Sequence, residues 1–595
     1  MSPLTITDWR RLYTEHGTSP RHALAPVLAA LRADDPAWIL RSDEAFVEAQ
    51  LMRLQDVSPL ALPLYGVPFA VKDNIDVAGL PTTAACPAFA YTPERHATVV
   101  QRLLDAGAVL VGKTNLDQFA TGLVGTRSPY GEVPNTFDTA HVSGGSSSGS
   151  ASVVARGLVA FALGTDTAGS GRVPAGFNNL VGWKPTPGAV PMAGVLPACR
   201  TLDVVSVFAL TVADATLVAA LLEGTDNEPA FQHAAPRPPW LGRTGAPLRV
   251  GVPAAPACDA ALGYDGAFDD AVAQWRAWGI EPVAVNMAPF DEVAQLLYDG
   301  PWVAERYAAV QALIETAPEA LDVTVRRVIM AACEHDAVAA FRARYTLEAL
   351  RQRIAALWQG IDLLMVPTAP TCPTRAAVAA EPVARNTELG RYTNFVNLLG
   401  LAALALPSGF TPAGLPFGVT FIAPGGSDAA LAEFGLRWEA ARDLPLGRHL
   451  RRAAAADRRP SRRPAAAATL EIAVVGAHLA GMPLHGQLVD RGCRLVERTL
   501  SAPCYRLYAL AGTSPPKPGL ARVAEDGVAI ELEVYEMPCD AVGSFLALIP
   551  PPLGLGSVQL ADGRWTRGFI CEPAGLAGAL DISAHGGWRA YLAAR

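Results

Sequence analysis

Residues 166–172 read Asp166-Thr167-Ala168-Gly169-Ser170-Gly171-Arg172, and an upstream stretch reads Gly144-Gly145-Ser146-Ser147-Ser148-Gly149-Ser150-Ala151. Both stretches follow a lysine in the sequence Val71-Lys72-Asp73-Asn74. A serine hydroxyl is a poor nucleophile until a base removes its proton, and lysine can be that base only if burial or nearby positive charge lowers its pKa. One lysine and two serines can therefore form a hydrolytic relay that contains no histidine.

The regions around these stretches alternate short apolar runs with helical segments and glycine-rich turns. Residues 67–71, 108–111 and 159–163 are apolar, and residues 96–106 have helical spacing between the first two runs. The pattern predicts an α/β domain with its functional residues at strand ends. A second such region runs from 248 to 367, while residues 1–60 predict a helical N-terminal segment.

Together the three stretches resemble the amidase signature family, serine hydrolases that cleave carboxamides with a Ser-cisSer-Lys triad. The resemblance implies a mixed central sheet flanked by helices, with Ser170 as nucleophile, Ser146 as proton shuttle and Lys72 as base. Consecutive amides of Thr167, Ala168 and Gly169, followed by Ser170, are candidates for an oxyanion hole. This sequence departs from the family pattern at Ala168, where most relatives have glycine, and at Gly171, where they have isoleucine or valine.

Two further stretches bear on the substrate. Residues 119–131, which include Gly122, look like the variant found in allophanate hydrolases, and residues 298–307 resemble the substrate-binding helix of that subgroup. Tyr298 and Arg306 are close to two helical turns apart, which predicts that they share one helix face. Because allophanate is urea that carries a carboxylate, a guanidinium is its natural partner. The alternative is a surface arginine that forms a salt bridge with Glu305 or another acidic residue.

The composition changes sharply near residue 448. Residues 449–468 are rich in arginine, alanine and proline, which predicts an exposed linker between an amidase domain at 1–448 and a domain at 469–595 that is mostly β-structure. Residues 475–484 look like the appended domain of allophanate hydrolases, itself similar to the γ-glutamyl cyclotransferase fold. His478 is its best candidate for a polar role, ahead of His485, and a structural histidine is the alternative. Residues 539–545 lack the cyclotransferase Asp-Glu-x-Glu-Gly pattern, so that activity is not expected.

Two motif matches are rejected on their context. Residues 107–114 fit the Walker A pattern, but their four variable positions are themselves a predicted strand, so their amides belong to a sheet. Residues 145–149 fit the G-x-S-x-G nucleophile elbow, but the preceding residues 136–141 do not resemble a strand. We therefore expect neither a nucleotide site nor an elbow at these positions.

Composition narrows the remaining function classes. The chain has 595 residues, is 51% hydrophobic and 17% charged, and has a formal net charge of −8, so no basic field recruits nucleic acid. Its nine cysteines form no C-x-x-C pair, and neither a signal peptide nor a long apolar run is recognisable. These features predict a cytoplasmic enzyme without metal, cofactor or membrane contact. The resemblance adds a homodimer and an association with a urea carboxylase.

Three functional hypotheses follow. The first is hydrolysis of allophanate to ammonia and carbon dioxide through an acyl-enzyme, in urea and nitrogen catabolism. The second is a general small-carboxamide amidase or an amidotransferase A-type subunit; such subunits lack a C-terminal domain of this kind. The third is a binding scaffold with a decayed triad, which the presence of Lys72, Ser146 and Ser170 disfavours.

Overall fold

The computed structural model describes residues 4–31, 34–225, 241, 248–449, 451–452 and 469–594, which divide into two compact units. The first unit holds the described residues up to 452, and the second holds those from 469 onward. Most of the predicted linker, residues 450 and 453–468, lies outside the described residues. Its residues Arg451 and Arg452 pair at 2.6 Å with Asp8 and Asp443 of the first unit, which corrects the predicted start of the linker.

The first unit is built on a mixed sheet with the strand order β1-β3-β2-β4-β6-β5-β10-β11-β9-β7-β8. The fold predicted for this part of the chain, a mixed sheet flanked by helices, is confirmed. Its strands are β1 Trp38–Arg41, β2 Pro68–Lys72, β3 Val109–Thr114, β4 Phe161–Asp166, β5 Val181–Lys184, β6 Val204–Ala209, β7 Val250–Pro253, β8 Val283–Val285, β9 Leu363–Pro367, β10 Ala402–Phe410 and β11 Pro416–Ala423.

Helices cover this sheet, and the buried apolar side chains between the helices and the sheet form the core of the first unit. The helices are α1 Ile6–Thr14, α2 Pro20–Ala30, α3 Glu44–Met52, α4 Thr98–Asp105, α5 Ser148–Ala155, α6 Val173–Phe177, α7 Val212–Leu222, α8 Tyr264–Ala277, α9 Ala288–Tyr298, α10 Val303–Thr316, α11 Val323–Met330, α12 Ala337–Leu357, α13 Arg375–Ala380, α14 Ala384–Leu389, α15 Asn394–Leu398 and α16 Asp428–Arg442.

The carboxyl ends of strands β2, β3 and β4 lie near the candidate residues. Every residue of the three strands is buried, as expected for strands covered on both faces. β2 runs parallel to both β3 and β4, with Val71 opposite Leu163. The carboxyl ends of parallel strands lie on the same side of the sheet. Lys72, at the end of β2, therefore lies near the loop that follows β4.

The N-terminal segment is not wholly helical, which corrects the prediction for residues 1–60. Trp38–Arg41 forms β1, which pairs antiparallel with β3 at the edge of the sheet. Tryptophan, isoleucine and leucine suit a half-buried edge strand, and the unpaired side of β3 supplies the hydrogen-bonding partner. Helical spacing on both sides of this short stretch concealed it in the sequence.

The second unit is mostly β-structure, as predicted, with a five-stranded sheet β13-β16-β12-β18-β17 and a three-stranded sheet β15-β14-β19. It has its own apolar core. Its similarity to γ-glutamyl cyclotransferases stays a prediction. The elements are β12 Thr469–Val474, α17 Gly486–Val489, β13 Arg494–Leu500, β14 Tyr505–Ala509, β15 Pro518–Arg522, β16 Glu531–Pro538, α18 Cys539–Leu546, β17 Leu553–Gln559, β18 Trp565–Cys571, α19 Pro573–Leu576, β19 Leu580–Asp581 and α20 Trp588–Ala593.

Across the described parts of the chain, no helix combines the length and the apolar character needed to cross a lipid bilayer.

Candidate active site

Lys72 and Ser146 are in direct contact. Nζ of Lys72 lies 2.7 Å from Oγ of Ser146 and 2.7 Å from Oγ1 of Thr165 on the neighbouring strand β4. All three side chains are buried. The sequence placed the lysine and the serine in one site, and the structure adds Thr165 as a second partner of the amine.

The loop that carries Ser146 depends on glycines at positions where a side chain has no room. A Cβ on Gly145 would lie 2.1 Å from Oδ2 of Asp117, and a Cβ on Gly149 would lie 2.2 Å from the carbonyl oxygen of Ala37. The peptide bond between Gly145 and Ser146 is cis, as the resemblance implied. Helix α5 begins directly after this loop, at Ser148.

Ser170 lies in the loop between β4 and α6, which a buried ion pair holds in place. Arg172 donates from Nε and Nη2 to the carboxylate of Asp166, at 2.9 and 2.8 Å. Two residues of the α15 segment, Thr393 just before the helix and Asn397 within it, also hold this loop. Oγ1 of Thr393 donates to the carbonyl of Ala168 at 2.6 Å, and Nδ2 of Asn397 donates to the carbonyl of Asp166 at 2.8 Å.

Hydrogen bonds within this loop reduce the set of backbone amides that are available for the predicted oxyanion hole. The amide of Gly169 donates to Oδ1 of Asp166 at 2.9 Å, so it is engaged within the protein. In contrast, the amides of Thr167, Ala168 and Ser170 donate to no acceptor among the described residues. The predicted oxyanion hole is therefore corrected for Gly169, because its amide already donates a hydrogen bond to the Asp166 carboxylate.

The two departures from the family pattern have structural explanations. Ala168 does not have a positive φ. Alanine therefore replaces glycine at this position without backbone strain and keeps its amide N–H. At Gly171 a Cβ would lie 2.5 Å from Cβ of Ser206 on β6, so no larger residue fits beside this serine. Gly171 and Ser206 therefore share one space between the loop and the sheet.

The electrostatic setting of Lys72 suits a base. Burial is the largest effect on the pKa of its ammonium group and lowers it to about 7. Asp117, Asp203 and Asp166 act in the opposite direction, and the positive charge of Arg306 assists burial. A pKa near 7 leaves a substantial fraction of Lys72 neutral, and thus able to accept a proton, at neutral pH.

Arg306 is a buried cation whose partners are uncharged. Its guanidinium donates to Oγ1 of Thr121 at 3.0 Å, to the carbonyl of Ala120 at 3.3 Å and to the hydroxyl of Tyr298 at 3.4 Å. Its Cζ lies 5.4 Å from the centre of the Tyr298 ring. None of the ion pairs between described residues involves Arg306, and its buried Nε has no hydrogen-bond acceptor there. Such an arginine is suited to an anionic ligand.

One expectation about this arginine needs correction, and the alternative of a pair with Glu305 is not found. Tyr298 and Arg306 do not share one helix, because α9 ends at Tyr298 and α10 begins at Val303. Pro301 lies between the helices, where its missing N–H and its restriction on the preceding residue interrupt helical geometry. The surface pair with Glu305 is also absent, because Glu305 accepts hydrogen bonds from the amide and hydroxyl of Thr201 instead.

Gly122 lies beside this arginine in the loop 121–127. Thr121, which contacts Arg306, precedes it, and the amide of Leu123, which follows it, donates to Oδ1 of Asn386 at 2.7 Å. The amide of Gly122 donates to no acceptor among the described residues. The structure therefore places Tyr298 and Thr121, the neighbour of Gly122, in contact with Arg306, and a role of these residues in substrate binding stays a prediction.

The structure supports the grounds for rejecting both motif matches. Val109–Thr114 is strand β3, and Nζ of Lys113 donates to Oγ1 of Thr82 at 2.7 Å and pairs with Asp73 at 3.0 Å, both within the protein core. The residues before Gly145 form no strand.

Sequence reasoning missed the acidic residues of the site. Asp117 follows β3, and Asp203 precedes β6 and accepts hydrogen bonds from the amides of Ala198 and Cys199 and from the hydroxyl of Thr167. Burial raises the pKa of Asp203 to about 6. The available signal for Asp117 was its position three residues after the end of the buried strand β3.

In the second unit, His478 lies in an aromatic environment. Its ring stacks on Phe569 with 5.0 Å between centroids, and its Nε2 lies 2.9 Å from Oε1 of Gln487. Burial lowers its pKa, so the ring is neutral near pH 7. It lines a small cavity with Lys517 and Leu553. His485 instead packs near the ring of Tyr535, at 5.9 Å.

A buried lysine with a lowered pKa beside one serine, and amides presented beside a second, fit the class of serine hydrolases in which lysine replaces histidine. Comparison with known proteins agrees. A family model described as Amidase matches residues 37–432, and one described as Allophanate hydrolase C-terminal domain matches residues 470–593. The chain belongs to the amidase family.

Individual relatives cover most of this chain. The urea amidolyase of Lachancea kluyveri is 44% identical over 97% of this chain, which spans only 33% of that protein. The A-type subunit of glutamyl-tRNA(Gln) amidotransferase from Synechococcus sp. is 34% identical over 70% of this chain and 92% of its own length. The crystal structure of Kluyveromyces lactis allophanate hydrolase matches 99% of both chains with a TM-score of 0.73 and 44% identity.

Proposed function

We propose that this chain hydrolyses allophanate to ammonia and carbon dioxide. The observation that carries the proposal is Arg306, a buried guanidinium without a carboxylate partner among the described residues, which lies beside Tyr298 and the Gly122 loop. A buried guanidinium that forms no direct ion pair is costly, and a carboxylate ligand would supply that pair. Asp203 and Glu305 also act on Arg306 without forming an ion pair with it. Allophanate supplies a carboxylate for Arg306 and a carboxamide for the serines. The similarity to an allophanate hydrolase along the whole chain supports the same substrate.

The triad residues act in sequence. Neutral Lys72 accepts a proton through Ser146, and Oγ of Ser170 attacks the amide carbon of allophanate. The amides of Thr167 and Ala168 stabilise the tetrahedral oxyanion, with the amide of Ser170. Collapse of this intermediate breaks the C–N bond, the relay returns the proton to the leaving nitrogen, and ammonia departs. Water then hydrolyses the acyl-enzyme and leaves a nitrogen that carries two carboxylates.

Loss of carbon dioxide from this product gives carbamate, which yields the second ammonia and the second carbon dioxide. We assign the acceleration of this decarboxylation to the C-terminal domain, with His478 as its candidate residue. The neutral ring of His478 and the neighbouring Lys517 in one cavity support this assignment. A homodimer, an association with a urea carboxylase and a cytoplasmic location stay predictions, which size measurement, co-purification and cell fractionation would test.

The alternative function is that of a general amidase or of an amidotransferase A-type subunit. The similarity to the glutamyl-tRNA(Gln) amidotransferase polypeptide favours it, but that match covers 70% of the chain. The allophanate hydrolase C-terminal model matches residues 470–593 and supports the first proposal instead.

Ammonia release from allophanate, urea, biuret and malonamide distinguishes these functions. The proposal predicts a kcat/KM for allophanate well above that for the three uncharged amides, and no release by Ser170→Ala. The Ser170→Ala protein, purified identically, also controls for contaminating amidases. Equal rates with all four compounds would support the general amidase, and no reaction with allophanate would refute the proposal.

A further inference from the structure

Asp117 is a buried carboxylate whose hydrogen bonds all come from backbone amides. Oδ1 accepts from Gly125 and Arg127 at 3.0 Å each, and Oδ2 accepts from Gly125 at 3.0 Å and from Val124 at 3.2 Å. Three amides of one loop therefore converge on a single side chain. Such convergence fixes the loop conformation, because displacement of the carboxylate would leave several buried amides unpaired.

The backbone and the side chain of Asp117 both lie against the loop that carries Ser146, the candidate proton shuttle. The amide of Asp117 donates to the carbonyl of Ser146 at 3.1 Å. A Cβ on Gly145 would lie 2.1 Å from its Oδ2, and a Cβ on Gly122 would lie 2.5 Å from the same oxygen. Asp117 thus fills the space between the residue before Ser146 and the candidate substrate-binding glycine.

Asp117 forms no direct ion pair with a cation of the described residues. None of the ion pairs between described residues includes it, and the guanidinium of Arg127 donates to the carbonyls of Thr121 and Pro382 instead. The charged groups that act on Lys72 are Asp117, Asp203, Asp166 and Arg306, and Asp117 has the largest influence among the three carboxylates.

We propose that Asp117 is a positioning residue that joins the Gly122 loop to the Ser146 peptide and so places its carboxyl group close to Lys72, which contacts Ser146. The proposal rests on the proposed function, because it assigns Gly122 to the substrate and Lys72 to proton transfer. It links substrate binding and proton affinity through a residue that contacts neither the reacting atoms nor the substrate.

Asp117→Asn tests both parts, because asparagine keeps the size of the side chain and removes its charge. Loss of charge-assisted hydrogen bonds to the loop should raise KM about tenfold or more. Without this negative charge the pKa of Lys72 should fall further, so the acidic limb of the kcat/KM profile should move to lower pH by about one unit. A purely structural role would reduce activity and leave the limb in place, which would overturn the proposal.

Asp259→Asn is the matched control. Asp259 also accepts hydrogen bonds from backbone amides, those of Ala261 and Leu262. It is not among the charged groups that influence the pKa of Lys72. Its substitution should leave the acidic limb unchanged. An equal shift of the limb in Asp259→Asn and Asp117→Asn would contradict a specific effect of Asp117.

Gly122→Ala keeps the proposal testable if Asp117→Asn fails to fold. Its Cβ would press on the Asp117 carboxylate at 2.5 Å while the charge remains. KM should rise with no movement of the acidic limb, and an unchanged KM would overturn the positioning role. If the wild-type protein does not cleave allophanate, the proposed function fails by itself, and the variants are compared on whichever amide of the panel the wild type cleaves.

Discussion

At the scale of single residues, the proposed chemistry depends on a lysine that can lose its proton near neutral pH. Lys72 is completely buried at the end of β2, beside Ser146 and Thr165. Three carboxylates limit the effect of burial, which otherwise would lower the pKa of Lys72 further. The base is therefore tuned by opposing effects of burial and nearby negative charge.

The pH dependence of activity follows from this pKa. Lys72 accepts a proton only in its neutral form, so kcat/KM should be high above pH 7 and fall about tenfold per unit as the pH drops below its pKa of about 7. Initial rates of ammonia release, measured at constant ionic strength, test this prediction. A flat profile down to pH 5 would exclude Lys72 as the base.

Substitutions in the triad should not have additive effects. Ser170→Ala should abolish turnover, Lys72→Ala should nearly do so, and Ser146→Ala should leave a small residual activity. Since the three residues act as one relay, the double variant Lys72→Ala/Ser146→Ala should lose little more than the worse single variant. Single-turnover rates measure this, and a Lys72→Ala protein with most of its kcat would refute the relay.

Glycine-rich flanks and spacing allowed the residues of the proposed relay to be named from the sequence, and the structure brings Lys72 into contact with Ser146. The sequence did not reveal Thr165, Asp117 or Asp203, because their contacts depend on strand register and on loops that cross between strands. The buried state of Arg306 was also not predictable, since the sequence gives a charged residue on a helix and not the layer that covers it.

At the scale of elements, the nucleophile loop is held from three sides. The ion pair between Asp166 and Arg172 closes it, Thr393 and Asn397 brace it from α15, and Ser206 on β6 fills the space next to Gly171. The sequence predicted β2, β3 and β4 from apolar runs. The break between α9 and α10 was signalled by Pro301 and was overlooked, because the eight-residue spacing of Tyr298 and Arg306 fits two helical turns.

The space shared by Gly171 and Ser206 gives a stability prediction. Gly171→Ala should destabilise the protein by about 1–3 kcal/mol, because its Cβ meets the Ser206 side chain. Ser206→Gly should recover part of this loss in the double variant, so the two changes should be less harmful together than their sum. Urea unfolding of the four proteins gives the coupling energy. Strict additivity would show that the two residues do not compete for space.

At the scale of the whole molecule, two units with separate apolar cores support a division of labour. The composition shift near residue 448 predicted this division, because a charged stretch rich in alanine and proline cannot form a packed core. The order of the strands in the long sheet was not predictable, since neighbouring strands such as β5 and β10 are far apart in sequence.

A chain that ends after Arg459 should still release the first ammonia, because the triad and Arg306 all lie in the first unit. Release of carbon dioxide should be slower or assembly altered, and His478→Ala in the full chain should reproduce only the chemical defect. Parallel assays of both products, with size-exclusion chromatography, test this prediction. A folded shortened chain that cannot make the first cleavage would refute the division of labour.

The ratio of kcat/KM for allophanate to that for biuret is the sharpest test of substrate recognition, because biuret replaces the carboxylate with an uncharged amide. We predict that Arg306→Ala lowers this ratio by about tenfold or more, since a charge-assisted pair contributes about 1.5–3 kcal/mol. Arg306→Lys should recover only part of it, because lysine cannot make the planar bidentate contact. An equal loss on both substrates, with the ratio unchanged, would contradict the recognition of the carboxylate by Arg306.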